Sequence, residues 1–211
     1  ELGTGGMGCV WLAERADGQL KRKIALKLPR MVWADDLATR MARERDILGA
    51  LEHPNIARLY DAGVDDKGRP YLALEYVEGQ RIDAYCDARC LTIRQRIELF
   101  LQVLAAVQYA HVNLVVHRDI KPANVLINQQ GAAKLLDFGI ARLEVDARML
   151  EELGDVAQTS TRAMTPRYAS PEQVRGERLS LVSDVYSLGV LLYELLTGRS
   201  PYHLRNDSRA A

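Results

Sequence analysis

"VVHRDIKPANVLIN", residues 115–128, sets a group of charged and polar side chains between two apolar runs. Val115-Val116 on one side and Val125-Leu126-Ile127 on the other read as short buried strands. Pro122 and Asn124 mark the stretch between them as a loop. That loop holds His117, Arg118, Asp119, Lys121 and Asn124. Asp and Asn are ordinary turn residues, so a plain polar loop would account for each of them singly. An acid, two basic residues and an amide pinned between buried strands also describe a preorganised site. The rest of the chain has to decide.

A chain of 211 residues can bury one sizeable core, with room for two lobes. Its 48% hydrophobic and 27% charged residues are those of an ordinary globular protein. Lys+Arg 28 balances Asp+Glu 28. Zero net charge gives no support for nucleic acid or an anionic membrane as partner. Cys9, Cys86 and Cys90 form an odd, sparse set without metal-ligand spacing, so a reduced, cytoplasmic setting is expected. There is no apolar run of about eighteen residues and no signal peptide, so no membrane segment is expected within the chain. Both ends read as cut. Glu1 already sits against the glycine-rich stretch, and "HLRNDSRAA" (203–211) trails a strong helix, so a piece of a longer domain is expected.

The first quarter reads as strands. "GCVWLAE" (8–14) and "KIALKLP" (23–29) flank the turn "RADGQ", where Asp17-Gly18 is a hairpin signal. Residues 34–51 carry Leu37, Met41, Ile47, Leu48 and Leu51 near helical spacing. "ARLYDAGVD" (57–65) and "PYLALEYV" (70–77) read as a second antiparallel pair. After Gly79 the character turns helical, with long helices expected over 92–113 and 181–198, the latter ended by Gly198. Residues 143–164 have weak periodicity and many charges, and read as a mobile loop.

"GTGGMGCV" (3–10) places Gly3, Gly5, Gly8 and Val10 in the pattern G-x-G-x-x-G-x-V between two strands. Glycines let main-chain N–H groups approach a phosphate. A dinucleotide site would want a helix after the glycines and an acid about 20 residues on. A strand follows instead, and Lys27 stands 19 residues after Gly8, so that reading fails. Lys27 in an apolar strand would ordinarily reach out to solvent. Its other use is as a cation for an anionic ligand, held by an acid, and Glu44, 17 residues on, can be that acid. In "LLDFG" (135–139), Asp137 closes a buried run 18 residues after Asp119. It could merely start a turn, or it could be a hard-oxygen ligand for Mg²⁺ with Asn124 as a second.

"HRDIKPAN" (117–124), "DFG" (137–139), "IALK" (24–27) and the glycine loop, taken with "SPE" (170–172) and "SDVYSLGV" (183–190), resemble the protein kinases across essentially the whole chain. The resemblance implies an α+β, bilobal protein-kinase-like fold: a small β-rich N-lobe with one helix (1–77) and a larger, mainly helical C-lobe (78–211), incomplete at both ends. It implies ATP and Mg²⁺ as cofactors, a cleft between the lobes, and Asp119 as the base that accepts the substrate proton. Lys121 would reach the γ-phosphate, with Asn124 and Asp137 on the metal. Lys27 and Glu44 would pair at the phosphates beneath Gly3, Gly5 and Gly8. Leu2, Val10, Ala25 and Leu126 would enclose the adenine, and the backbone of Glu75 and Val77 would read its edge. His117 would pack with Phe138, Leu48 and Leu59 in a stack joining the lobes.

Lys121 two residues after Asp119, with Thr165 bridging the two, resembles the serine/threonine class, and the texture resembles bacterial members. The partner is then a protein with Ser or Thr. Arg118 beside the base goes, in this family, with control by phosphorylation of the 137–172 loop. Self-phosphorylation at Thr159, Ser160 or Thr161 is expected, clamped by Arg118 and Arg142. The alternative is a catalytically weak pseudokinase or scaffold, whose mark is loss of Lys27, Asp119, Asn124 or Asp137. All four are present.

Overall fold

The strand-like runs of the first quarter form one antiparallel sheet of five strands. The computed structural model describes residues 1–5, 8–14, 22–29, 45, 48–66, 68–138 and 167–202. The sheet contains β1 (Gly3–Gly5), β2 (Gly8–Ala13), β3 (Ile24–Pro29), β4 (Leu59–Val64) and β5 (Pro70–Glu75), in the order β1-β2-β3-β5-β4. Gly8 opens β2 at φ +133, where a Cβ would stand 2.2 Å from the Leu28 carbonyl oxygen. Only glycine fits there. The β4–β5 hairpin is closed by Asp65, whose N–H reaches Arg69 O at 2.7 Å and whose carboxylate accepts the Arg69 N–H at 2.8 Å. Gly68 supplies the positive φ of +72 that this turn requires. Of the helix expected over 34–51, Arg45, Leu48, Gly49, Ala50 and Leu51 are described: the first three are helical, Ala50 is in a turn and Leu51 lies past the helix.

The chain divides into two compact units, the first taking in residues 1–78 and the second residues 79–138 and 167–202 among those described. In the second unit a three-stranded antiparallel sheet runs β6 (Gly79–Arg81), β7 (Val125–Asn128), β8 (Ala133–Leu135). Around it stand α1 (Ile82–Ala88), α2 (Ile93–Val112), α3 (Pro171–Val174) and α4 (Leu181–Thr197). Thr92 starts α2 by a reciprocal capping box with Gln95, satisfying two backbone donors that a helix start leaves open. Val103, Ala106, Val107 and Ala110 bury one side of α2, and α2 packs on α4. Leu188, Leu191 and Leu195 bury the matching side of α4, at about 1.5–3 kcal/mol for each such leucine. Gly198 ends α4 at φ +68.

Arg96 ties three of these elements together. Its guanidinium donates to Leu91 O (3.0 Å), Leu195 O (3.0 Å) and Cys86 O (3.3 Å), and pairs with Asp87 at 2.8 Å.

One expectation needs correction, and one helix was not among those singled out. Helix α1 was not anticipated from "RIDAYCDAR", which carries only Ile82 and Cys86 as fully buried residues. Val115-Val116 is not a strand. Helix α2 spends this segment on its own C-terminus: Leu114 turns at φ +60 and the Val115 N–H returns to Ala110 O at 2.9 Å, a helix-ending pattern. The N–H groups of His117 and Arg118, just beyond Val116, go to a side chain instead of a neighbouring strand. Val125-Leu126-Ile127 is a strand, as expected.

Candidate active site

The residues singled out in the sequence fall in both units, and each set belongs to its own unit. In the second, everything centres on the turn of residues 117–124. Asp184, 1% exposed on α4, accepts the His117 N–H on Oδ2 at 2.8 Å and the Arg118 N–H on Oδ1 at 2.9 Å. His111 Nε2 also lies 2.8 Å from Asp184 Oδ2. Arg118 is thereby held at φ +69, a left-handed conformation costing about 1–2 kcal/mol in a non-glycine residue.

Asp119 follows that strained residue. Its carboxylate is 13% exposed and takes Lys121 Nζ at 2.8 Å on Oδ2. Asn124 Nδ2 donates both to the Asp119 carbonyl (2.7 Å) and to Oδ2 (3.0 Å). Lys121, expected at a phosphate, is thus ion-paired to Asp119 in this structure. Pro122–Asn124 makes a single 3-10 turn that presents Asn124 at the head of β7. His117 is fully buried, with Nε2 2.8 Å from Leu136 O and Nδ1 accepting the Asp119 N–H at 3.2 Å. Burial pushes its imidazole below the ordinary histidine value, against the opposing pull of Asp184. A neutral ring that accepts at Nδ1 and donates at Nε2 is a structural residue. Its ring centroid is 4.7 Å from that of Phe138; Leu48 and Leu59 are buried in the first unit.

Asp137 follows β8 at φ +51. The preceding Leu136 N–H donates to Asn124 O at 2.8 Å, so the backbones of Asn124 and Asp137 run side by side. Both bonds of the Asn124 side chain are donated by Nδ2, so the carbonyl Oδ1 is the atom that would face a cation. A carboxylate and an amide oxygen are the hard donors that Mg²⁺ takes. The donor set fits the metal. Leu126, half-buried, lies in the middle of β7 between Arg81 and Lys134.

In the first unit the strand register groups the other residues. Val10, Lys27 and Leu72 form one cross-strand row, and Leu12, Ala25 and Leu74 the next. Side chains two apart share a face, so Val10, Ala25 and Lys27 lie on one face of the sheet. Lys27 is 8% exposed. At Gly3 a Cβ would meet nothing within 4 Å, so packing does not demand a glycine there and the backbone stays open to a ligand. Leu2 is exposed, its N–H bonded to Val10 O at 2.8 Å. Gly5 pairs with Gly8 across the hairpin. Glu75 ends β5 and gives its N–H to Arg58 O at 2.8 Å. Any hydrogen bond from its backbone to an adenine edge therefore has to use the carbonyl. Val77 lies in the irregular stretch beyond. Glu44, Arg142, Thr159, Ser160, Thr161 and Thr165 lie outside the described residues.

Two residues that hold the site were not read from the sequence in this role. Asp184 shares the buried side of α4 with Leu188, Leu191 and Leu195. A carboxylate on the apolar stripe of a helix is a legible sign of a buried partner. The other is Gln173, which completes a capping box with Ser170 and donates from Nε2 to Arg118 O at 2.7 Å. The S-x-x-Q pattern signals the cap, but nothing local signals the second bond.

The family model for the protein kinase domain matches residues 1–211, and the chain belongs to that family. Members of the family in general use ATP and a divalent metal. Among curated relatives, the chain is 40% identical over 206 residues to the serine/threonine-protein kinase PrkC of Bacillus subtilis, covering 95% of this chain and 30% of that protein. It is also 40% identical over 207 residues to the serine/threonine-protein kinase PknB of Mycobacterium leprae, covering 95% of this chain and 32% of that one. The chain thus spans about a third of the length of these relatives. The crystal structure of the Mycobacterium tuberculosis PknI kinase domain, a cysteine-to-alanine mutant, superposes with a TM-score of 0.72 at 28% identity, over 96% of this chain and 74% of that one. The fold is that of the protein kinases. Among the described residues no helix is long and apolar enough to cross a membrane.

Proposed function

We propose that this chain carries the catalytic apparatus of a serine/threonine protein kinase that moves the γ-phosphate of ATP to a hydroxyl of a protein substrate. One observation carries the reading. The Asp119 carboxylate is gripped by Lys121 at 2.8 Å and by Asn124 at 3.0 Å on a turn whose backbone is locked from α4. Phosphoryl transfer asks an enzyme for positioning and charge compensation more than for covalent chemistry. Asp119 orients the substrate hydroxyl and takes up its proton. Lys121 brings positive charge to the transferred group, and Thr165 bridges it to Asp119. Asn124 and Asp137 hold Mg²⁺, which when bound neutralises charge on the phosphate oxygens. Lys27, with Glu44 as its acidic partner, and the backbone at Gly3, Gly5 and Gly8 would hold the phosphates. Leu2, Val10, Ala25 and Leu126 enclose the adenine, with the Glu75 carbonyl and the Val77 backbone on its edge.

The serine/threonine names of the relatives support the choice of hydroxyl. The free state of Cys9, Cys86 and Cys90 supports a reduced, cytoplasmic setting. Phosphate on Thr159, Ser160 or Thr161, clamped by Arg118 and Arg142, would switch the enzyme on.

Transfer of radiolabelled phosphate from ATP to a protein substrate tests this. Lys27→Met and Asp137→Ala should each lower turnover at least about 100-fold. Near wild-type turnover in either variant refutes the assignment. ATP with Mg²⁺ should also raise the Tm of the wild-type protein.

A further inference from the structure

The peptide unit joining Arg118 to Asp119 is gripped at both ends. Its carbonyl accepts from Gln173 Nε2 at 2.7 Å, and its N–H donates to His117 Nδ1 at 3.2 Å. Gln173 is 5% exposed, and its own amide is fixed in turn, because Oε1 accepts the Ser170 N–H at 2.9 Å. With Oε1 facing a donor and Nε2 facing an acceptor, only one orientation of the amide satisfies both. Ser170 Oγ closes the cap by accepting the Gln173 N–H at 3.3 Å. One side chain thus does two things: it starts α3 and it grips the carbonyl of a residue held at φ +69. The second is not needed by the first. A helix cap of this kind is served equally by glutamate, the other residue of the S-x-x-E/Q pattern.

We infer that Gln173 is a positioning residue for phosphoryl transfer, holding the plane of the Arg118–Asp119 peptide and with it the direction of the Asp119 carboxylate. A strained left-handed residue persists only while its surroundings over-determine it. Asp184 fixes the N–H of Arg118 from α4, and Gln173 fixes its carbonyl from α3. With the second contact gone, the peptide can rotate about a single anchored end. Asp119 then points correctly only part of the time, which lowers turnover without altering what binds ATP. The inference rests on the reading of Asp119 as the base proposed above.

Gln173→Glu separates the two roles. It keeps the size of the side chain and the oxygen that accepts the Ser170 N–H, but it replaces the donor to Arg118 O by a second acceptor. The full-length protein is compared with this variant and with Ser170→Ala, which weakens the cap and leaves the Arg118 contact. Turnover, KM for ATP, Tm and amide exchange at Arg118 and Asp119 are measured. The expected result for Gln173→Glu is a kcat about tenfold lower or more, with KM for ATP within about twofold and a Tm lower by about 2–12 °C, because the Arg118 carbonyl loses its buried donor. Exchange at Arg118 and Asp119 should be faster, with the amides of residues 171–174 unchanged. Ser170→Ala should lower Tm and keep kcat within about threefold. Gln173→Glu with kcat within twofold and unaltered exchange at 118–119 overturns the inference, as does Ser170→Ala losing as much kcat as Gln173→Glu. If glutamate is not tolerated at 173, Gln173→Met takes its place. It must then lose more kcat than Ser170→Ala at an equal loss of Tm, and an equal loss overturns the inference. A wild-type protein that binds ATP without transferring phosphate refutes the kinase reading itself, and the exchange measurement alone then decides whether Gln173 holds the turn.

Discussion

Replacing Asp184 by alanine removes the acceptor on which the 117–118 backbone depends. The carboxylate is 1% exposed and receives two main-chain N–H groups at 2.8 and 2.9 Å, with His111 Nε2 at 2.8 Å as a third contact. Alanine leaves both N–H groups without that acceptor in a site closed to water. Each orphaned buried donor costs about 1–3 kcal/mol, so the two together should cost about 3–5 kcal/mol once some relaxation is allowed. Against a total stability of about 5–15 kcal/mol that is a severe loss. For a chain of this size it corresponds to a fall in Tm of about 6–20 °C. Asp184→Asn keeps one acceptor oxygen and sets an NH₂ group in place of the other, and should fall between wild type and alanine. Urea denaturation followed by circular dichroism gives the free energies, with an unchanged slope confirming that the unfolded reference is the same. The loss should be accompanied by loss of phosphate transfer even at temperatures where the variant stays folded. A cost below about 1 kcal/mol for Asp184→Ala would show that the turn is not held from α4.

Three further outcomes are expected. Burial keeps the His117 imidazole below its ordinary pKa, so the unfolded chain binds this proton more readily than the folded one. Stability should therefore fall as pH drops below about 6.5, by up to about 1.4 kcal/mol per pH unit, and this slope should shrink in His117→Phe; equal slopes in urea titrations at pH 5–6.5 would refute it. Leu114 is 86% exposed at φ +60, so Leu114→Gly should stabilise by about 0.5–1 kcal/mol, read as a rise in Tm by calorimetry. Gly8→Ala drives a Cβ to 2.2 Å from Leu28 O and should cost at least about 2 kcal/mol and abolish the ATP-induced rise in Tm, both measurable by thermal shift.

Local pattern made most elements legible. The β4–β5 hairpin, α2 with its Thr92 cap and α4 with its Gly198 stop all follow from periodicity and end signals. Val115-Val116 misled because two branched apolar residues look alike in a buried strand and in the return from a helix end. What decides is where the backbone groups bond: the Val115 N–H returns to Ala110 O, and those of His117 and Arg118 just beyond go to Asp184, which lies 66 residues from Arg118. The cluster of Asp119, Lys121 and Asn124 was legible because all three sit within six residues of one another. The supports were less so. Gln173 reaches Arg118 across 55 residues, and no local spacing encodes such a contact.

Arg96 has a consequence for how this chain can vary. Three of its four partners are carbonyl oxygens, of Cys86, Leu91 and Leu195, which every amino acid carries. The side chains at those positions answer to packing alone, and an exchange of one apolar residue for another there leaves the bond in place. At position 96 no such latitude exists, because lysine offers a single point charge where a planar fork with several donors is needed. In a library of single variants, position 96 should therefore reject even its nearest chemical relative, while the residues it holds drift.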